Sequence, residues 1–227
     1  MNPYIIAFIC VYAVALCFYF FTRVGKKLVY RAVNKAIMAT MYLVFAFVMF
    51  HVKAFPTYFY VLMAALFLAY MGDLFLVFDF NRGGDFFLAG NVCFSTFYLA
   101  ALIENGIPFA SYFWILIAWA ALIAVWTILF VKLPDVFKLG KMKFPMLLYL
   151  SSITMHGMTA LAAAVCLGGN GLTYLLMGIG SLSFMASDYI LTVDRFVCPG
   201  NKWIVRSNSL TYFGGLLLIV LGLSFFG

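Results

Sequence analysis

Apolar positions along this chain run in long unbroken blocks, and the polar ones are gathered into short stretches between them. That pattern is neither the period-2 alternation of half-buried strands nor the single stripe of a surface helix. Eight blocks stand out, at about 3–21, 36–52, 57–78, 86–104, 108–131, 144–167, 173–193 and 204–226. Most are close to the roughly 20 residues that a helix needs to cross a hydrocarbon core. The prolines (Pro3, Pro56, Pro108, Pro134, Pro145 and Pro199) all fall in loops or first turns, where a missing N–H and a fixed φ mark helix boundaries. The pattern predicts an all-α polytopic membrane protein of eight transmembrane helices, in one membrane domain spanning 1–227.

Composition agrees: 67% apolar and 9% charged residues, with a mean hydropathy of +1.11, leave too little polar surface for a soluble globule. Charge then orients the spans. With eight helices, one side collects Arg23, Lys26, Lys27, Arg31, Lys35, Arg82, Lys132, Lys138, Lys141, Lys143, Arg195, Lys202 and Arg206, and the other only Lys53. A bias of that kind marks the cytoplasmic side, so both termini are expected on the outer side. The net charge of +7 reads as anchoring to anionic headgroups and calls for no nucleic-acid partner. The first block has no basic residues before it and no A-x-A site, so it reads as a retained helix. Cys10, Cys17, Cys93, Cys166 and Cys198 lack C-x-x-C spacing, which calls for neither disulfides nor a thiolate metal site. Oligomeric state is left open.

Two acidic motifs break the apolar pattern: Gly72-Asp73-x-x-Leu76-x-x-Asp79 and Ser187-Asp188-x-x-Leu191-x-x-Asp194. A charged side chain at the centre of a span costs roughly 2.5–3.5 kcal/mol on insertion scales, so it marks a functional site by default. Asp73 and Asp188 each fall about five residues before the cytoplasmic end of their blocks, roughly 7–8 Å deep at 1.5 Å per residue. Asp79 and Asp194 fall at the interface, where solvation or helix capping explains them. Helices three and seven are four spans apart, so halves 1–104 and 108–227 related by a pseudo-twofold would bring the aspartates face to face. The motif is also short enough to recur by chance.

Other polar groups reach the same level: Lys35 in helix two, Asn91 and Ser95 in helix four, Tyr149, Ser151 and Ser152 in helix six, and Asn208, Thr211 and Tyr212 in helix eight. Together they outline a polar pocket, although each Ser, Thr or Asn alone reads equally as an interhelical hydrogen bond, and the two tyrosines as interfacial aromatics. His156 sits nearer mid-membrane and reads as a packed, hydrogen-bonded histidine. With two histidines in all and no H-x-x-x-H, no metal or other cofactor is called for.

The stretch Met71-Gly72-Asp73-Leu74-Phe75-Leu76, then Phe87-Leu88-Ala89-Gly90 and Phe94, and later Ser187-Asp188-Tyr189-Ile190-Leu191 with Phe196, resembles the YhhN family of eight-span lysoplasmalogenases. Lys35 and Pro145-x-x-x-Tyr149 resemble family positions too. The chain departs from the family at Ala36, at Tyr98 and after Tyr212-Phe213, where proline, histidine and glutamine are common. The resemblance implies hydrolysis of the vinyl ether of a lysoplasmalogen, with a lysophospholipid substrate drawn from the surrounding lipids. It implies release of a fatty aldehyde and a glycerophospho-ethanolamine or -choline, in a bacterial plasma membrane or a eukaryotic endoplasmic reticulum. Asp73 and Asp188 are the expected catalytic pair, and Lys35, Asn91, Tyr149, Asn208, Tyr212 and Arg195 the expected substrate contacts. Arg82, Lys202 and Arg206 also lie at a level suited to a lysolipid phosphate.

The chemistry fits a carboxyl pair. Vinyl ether hydrolysis starts with protonation of the β-carbon and passes through an oxocarbenium ion. It needs a carboxylic acid and, close by, an anion; two like charges at short range share a proton more readily than both ionise. The residues leave other classes open. Acidic residues in repeated membrane halves also build proton-coupled transporters and channels, and a metal-dependent hydrolase using Asp73, Asp188 and His156 is disfavoured by the depth of the histidine.

Overall fold

A computed structural model describes residues 3–24 and 28–227, apart from the side chain of Asn170. Among these residues the chain forms eight α-helices and no strand: α1 (Pro3–Thr22), α2 (Leu28–Val52), α3 (Phe59–Phe75), α4 (Phe80–Glu104), α5 (Trp114–Lys132), α6 (Lys143–Leu167), α7 (Leu172–Phe196) and α8 (Lys202–Ser224). Seven are long and apolar enough to cross a membrane, and α3, with 17 residues, is a shorter apolar helix. The protein is an all-α polytopic membrane protein. Of the cations counted for topology, Lys26 and Lys27 lie outside the described residues.

The helices outrun the apolar blocks where polar residues can continue a helix at an interface. α2 starts at Leu28, so Lys35 lies seven residues inside it, and α4 starts at Phe80. There the Asp79 carboxylate accepts from the backbone N–H groups of Asn81 (2.9 Å) and Arg82 (3.2 Å), satisfying two of the donors a helix start leaves free. α3 stops earlier than the apolar block because the chain must turn at 76–78 into α4. Asp73 is therefore two residues from the end of α3, whereas Asp188 is eight from the end of α7. The equal offsets expected from the motif are not found. α5 likewise starts later than its block, after a 3-10 turn at Phe109–Ser111 that follows Pro108.

α7 and α8 form the most intimate pair, packing backbone on backbone. A Cβ at Gly180 would fall 2.5 Å from the Gly215 carbonyl oxygen, and one at Gly215 would fall 2.6 Å from that of Gly180; small residues allow such approach in membranes. α3 pairs with α4, α6 with α7, and across the middle α4 packs on α6 and α2 on α8. α1 and α5 lie outermost and leave Val11, Val14 and Phe18 and Ile117, Val125 and Ile128 exposed, as lipid-facing helices do. Lys53 donates to the carbonyl oxygens of Ser224 (2.8 Å) and Phe226 and so ties the end of α2 to the end of α8.

Candidate functional site

Lys35 and Tyr42 are seven residues apart on α2, two turns of one face, and both reach Asp73. Lys35 Nζ lies 3.0 Å from Asp73 Oδ1. The Tyr212 hydroxyl donates to Oδ2 at 2.9 Å, and the Tyr42 hydroxyl at 3.4 Å. The carboxyl is 1% exposed and the lysine 8%, so a buried charge pair is completed by hydroxyl donors, as burial of ions demands. Tyr212 is held in place by edge-on contacts with Phe184 (ring centroids 4.9 Å apart) and Phe87 (5.9 Å).

Asp188, on α7, is 4% exposed and accepts the Tyr149 hydroxyl of α6 on Oδ2 at 2.6 Å. No cation is paired with it among the described residues. Asn208 of α8 donates to the Ser187 carbonyl oxygen at 2.6 Å, which fixes the α7 backbone beside the aspartate. Asp73 and Asp188 line one small chamber of about 30 Å3, together with Lys35, Arg23, Asn208 and Tyr212. Space on that scale suits a water molecule or two.

Of the residues expected from sequence, Asp73, Asp188, Lys35, Asn208 and Tyr212 thus line one space, and Tyr149, which does not line it, meets Asp188 through its hydroxyl. Asn91 is placed elsewhere. It belongs to a second buried network, in which its Oδ1 lies 3.3 Å from His156 Nδ1 and its Nδ2 3.4 Å from Ser152 Oγ. His156 Nε2 lies 2.9 Å from Ser181 Oγ, which also meets the Tyr98 hydroxyl at 2.8 Å. The imidazole stacks on Phe94 with centroids 4.4 Å apart, so His156 is the packed histidine expected, holding α4, α6 and α7 together. Arg195 is exposed and lies over the Phe80 ring, 4.8 Å from its centroid, outside the chamber. Ser95 and Thr211 return their hydroxyls to their own helices. Asp194 accepts from the Gly200 N–H at 3.3 Å in the turn before α8.

Sequence reasoning missed Tyr42 and Arg23. Tyr42 carried a usable signal, its two-turn spacing from Lys35. Arg23 carried none beyond its charge, since only packing of α1 on α2 and α8 brings it to the site.

The YhhN family profile matches residues 30–223, a stretch that holds every chamber residue named above except Arg23. The chain belongs to the YhhN family. No curated protein and no solved structure matches it. Family membership fits the lysoplasmalogenase-like assignment that the motifs suggested, and the matched stretch includes both aspartates.

Proposed function

We propose that this YhhN-family protein is a membrane-embedded hydrolase that cleaves the vinyl ether bond of lysoplasmalogens to a fatty aldehyde and glycerophospho-ethanolamine or -choline. One observation carries the reading: two buried carboxyls from distant parts of the chain line one small chamber with unlike partners. Asp73 has an ammonium and two hydroxyls on it and is equipped to carry negative charge. Asp188 has a hydroxyl and no paired cation among the described residues, which suits it to give up a proton.

In the reaction the Asp188 proton goes to the β-carbon of the vinyl ether, whose π electrons leave C1 cationic and stabilised by the ether oxygen. The Asp73 carboxylate offsets that charge, as the second carboxyl does in glycosidases. Water then adds to C1 with loss of a proton, giving a hemiacetal. The proton lost by the water restores Asp188; the hemiacetal hydroxyl then gives up its proton as the carbonyl forms and the bond from C1 to the glycerol oxygen breaks, and that oxygen takes a proton. The sum is vinyl ether plus water to aldehyde plus alcohol. Tyr149 orients Asp188, and Lys35 holds Asp73.

The test is incubation of the purified protein with a lysoplasmalogen and with its saturated alkyl-ether analogue. Aldehyde should appear from the first only, since a saturated ether has no carbon to protonate. No aldehyde from either overturns the reading, and movement of a solute across vesicles without hydrolysis would favour a proton-coupled carrier.

A further inference from the structure

We infer that the lysolipid lies across the chamber with its alkyl chain in a groove between α4, α6 and α7 and its phosphate on Arg23, and that Leu76 and Leu191 form the gate between groove and chamber. The inference rests on the hydrolase reading for the identity of the ligand. The groove has a volume of about 280 Å3, and its walls include Phe80, Leu88, Met146 and Leu148. Leu76 and Leu191 line both the groove and the chamber. Tyr149 lines the groove and places its hydroxyl on Asp188. A larger apolar groove of about 650 Å3 lies between α1 and α2, against Phe8, Ile37, Met41 and Val48, but none of its lining residues lines the chamber. Connection, rather than size, selects the first groove.

Leu191 is the third residue after Asp188, one turn along the same face of α7, and Leu76 is the third after Asp73, at the C-cap of α3, where its N–H bonds the Gly72 carbonyl oxygen. A chamber of about 30 Å3 is too small to admit a vinyl ether unless side chains that line it move apart. The backbone beneath Leu76 is fixed: a Cβ at Gly83 would meet Leu76 N and Cα at 2.7 Å. Opening therefore falls to the leucine side chains, both of which are only partly buried.

Tyr19 and Arg23, at the end of α1, also line the chamber, and α1 packs on α2 and α8, whereas the groove lies on α4, α6 and α7. Arg23 Nε is buried with no hydrogen-bond partner, and among the described residues the ion pairs are Lys35–Asp73 and Arg82–Asp79. Arg23 is thus a cation on the chamber wall outside any ion pair among the described residues, its guanidinium 6.0 Å from the centroid of the Tyr19 ring. Arg82, Arg195, Lys202 and Arg206 do not line that space. A lysoplasmalogen runs from chain to vinyl ether to glycerol to phosphate, the same order as groove, carboxyl pair and arginine.

The experiment uses the full chain with a non-hydrolysable probe, a saturated 1-O-alkyl lysophosphoethanolamine carrying a diazirine at the chain end. Irradiation should label α4 and α6 near Leu88, Met146 and Leu148, and excess unlabelled probe should suppress it. Labelling of the α1–α2 groove instead, or labelling without competition, overturns the placement of the chain. Arg23→Gln should weaken binding of the probe about 10-fold, as loss of a charge-assisted hydrogen bond does, and leave binding of the matching alkylglycerol, which has no phosphate, unchanged. Equal effects on both ligands overturn the phosphate assignment. Leu76→Trp and Leu191→Trp should retain groove labelling and lose aldehyde release; undiminished release overturns the gate. If those variants do not fold, Leu191→Ala decides, with faster probe uptake supporting the gate and unchanged uptake refuting it. Aldehyde release with the label elsewhere removes this inference alone, whereas probe binding as described without hydrolysis of the vinyl ether removes the hydrolase reading alone.

Discussion

Lys35 and Asp73 lie 3.0 Å apart in a setting that hides both from solvent. Removing one partner of a buried pair leaves the other uncompensated, at a cost of about 3–5 kcal/mol. Lys35→Met should therefore lower the melting temperature markedly, and adding Asp73→Asn should recover most of the loss. Additive losses in the double variant would show that the two side chains do not stabilise one another. Tyr149→Phe removes the hydroxyl from Asp188 without changing the ring, and turnover should fall about 10- to 100-fold, the range for a hydrogen bond to a charged group. Asp79→Asn keeps a capping oxygen at the start of α4, so both stability and turnover should stay near wild type. The aspartates, Lys35, Tyr149 and Tyr212 were legible in the sequence because polar groups in an apolar block are conspicuous. Asn91 was equally conspicuous, yet its partner is His156, because depth along a helix does not say which face a side chain occupies.

The helices themselves were legible from the length of the apolar blocks, and their ends were not. Polar residues such as Arg31, Asn34 and Lys35 continue α2 by helical hydrogen bonding, which hydropathy does not register. The turn that ends α3 at Phe75 is imposed by the need to enter α4, so two similar motifs acquire different local geometry. Packing between helices is the level least visible in sequence: Gly180 and Gly215 are ordinary small residues until their backbones meet. Gly215→Val places side-chain atoms where the Gly180 carbonyl lies, and overpacking of this kind costs about 1–3 kcal/mol. Because Tyr212 stands one turn from Gly215, separation of α7 from α8 should also draw its hydroxyl from Asp73. Thermal melting and turnover measured on Gly215→Val should fall together; loss of neither would contradict the close approach.

For the whole molecule, α6 lies against α4 and α2 against α8, and α1 and α5 are both outermost. The charge bias predicts that the connections before α2 and before α6 face the cytoplasm and both termini face away. Cys198, exposed in the turn before α8, should react with a membrane-impermeant maleimide only from the cytoplasmic side, and a cysteine introduced at Gly227 only from the other. Labelling of both from one side would remove the topology. The central claim is that Asp73 and Asp188 act jointly on one bond, and the most direct measurement is aldehyde release by Asp73→Asn and Asp188→Asn beside wild type, each variant first shown to be folded and membrane-inserted. An amide keeps the volume but neither donates that proton nor carries the compensating charge, so each substitution alone should abolish release. Near-wild-type turnover by either variant would contradict the account.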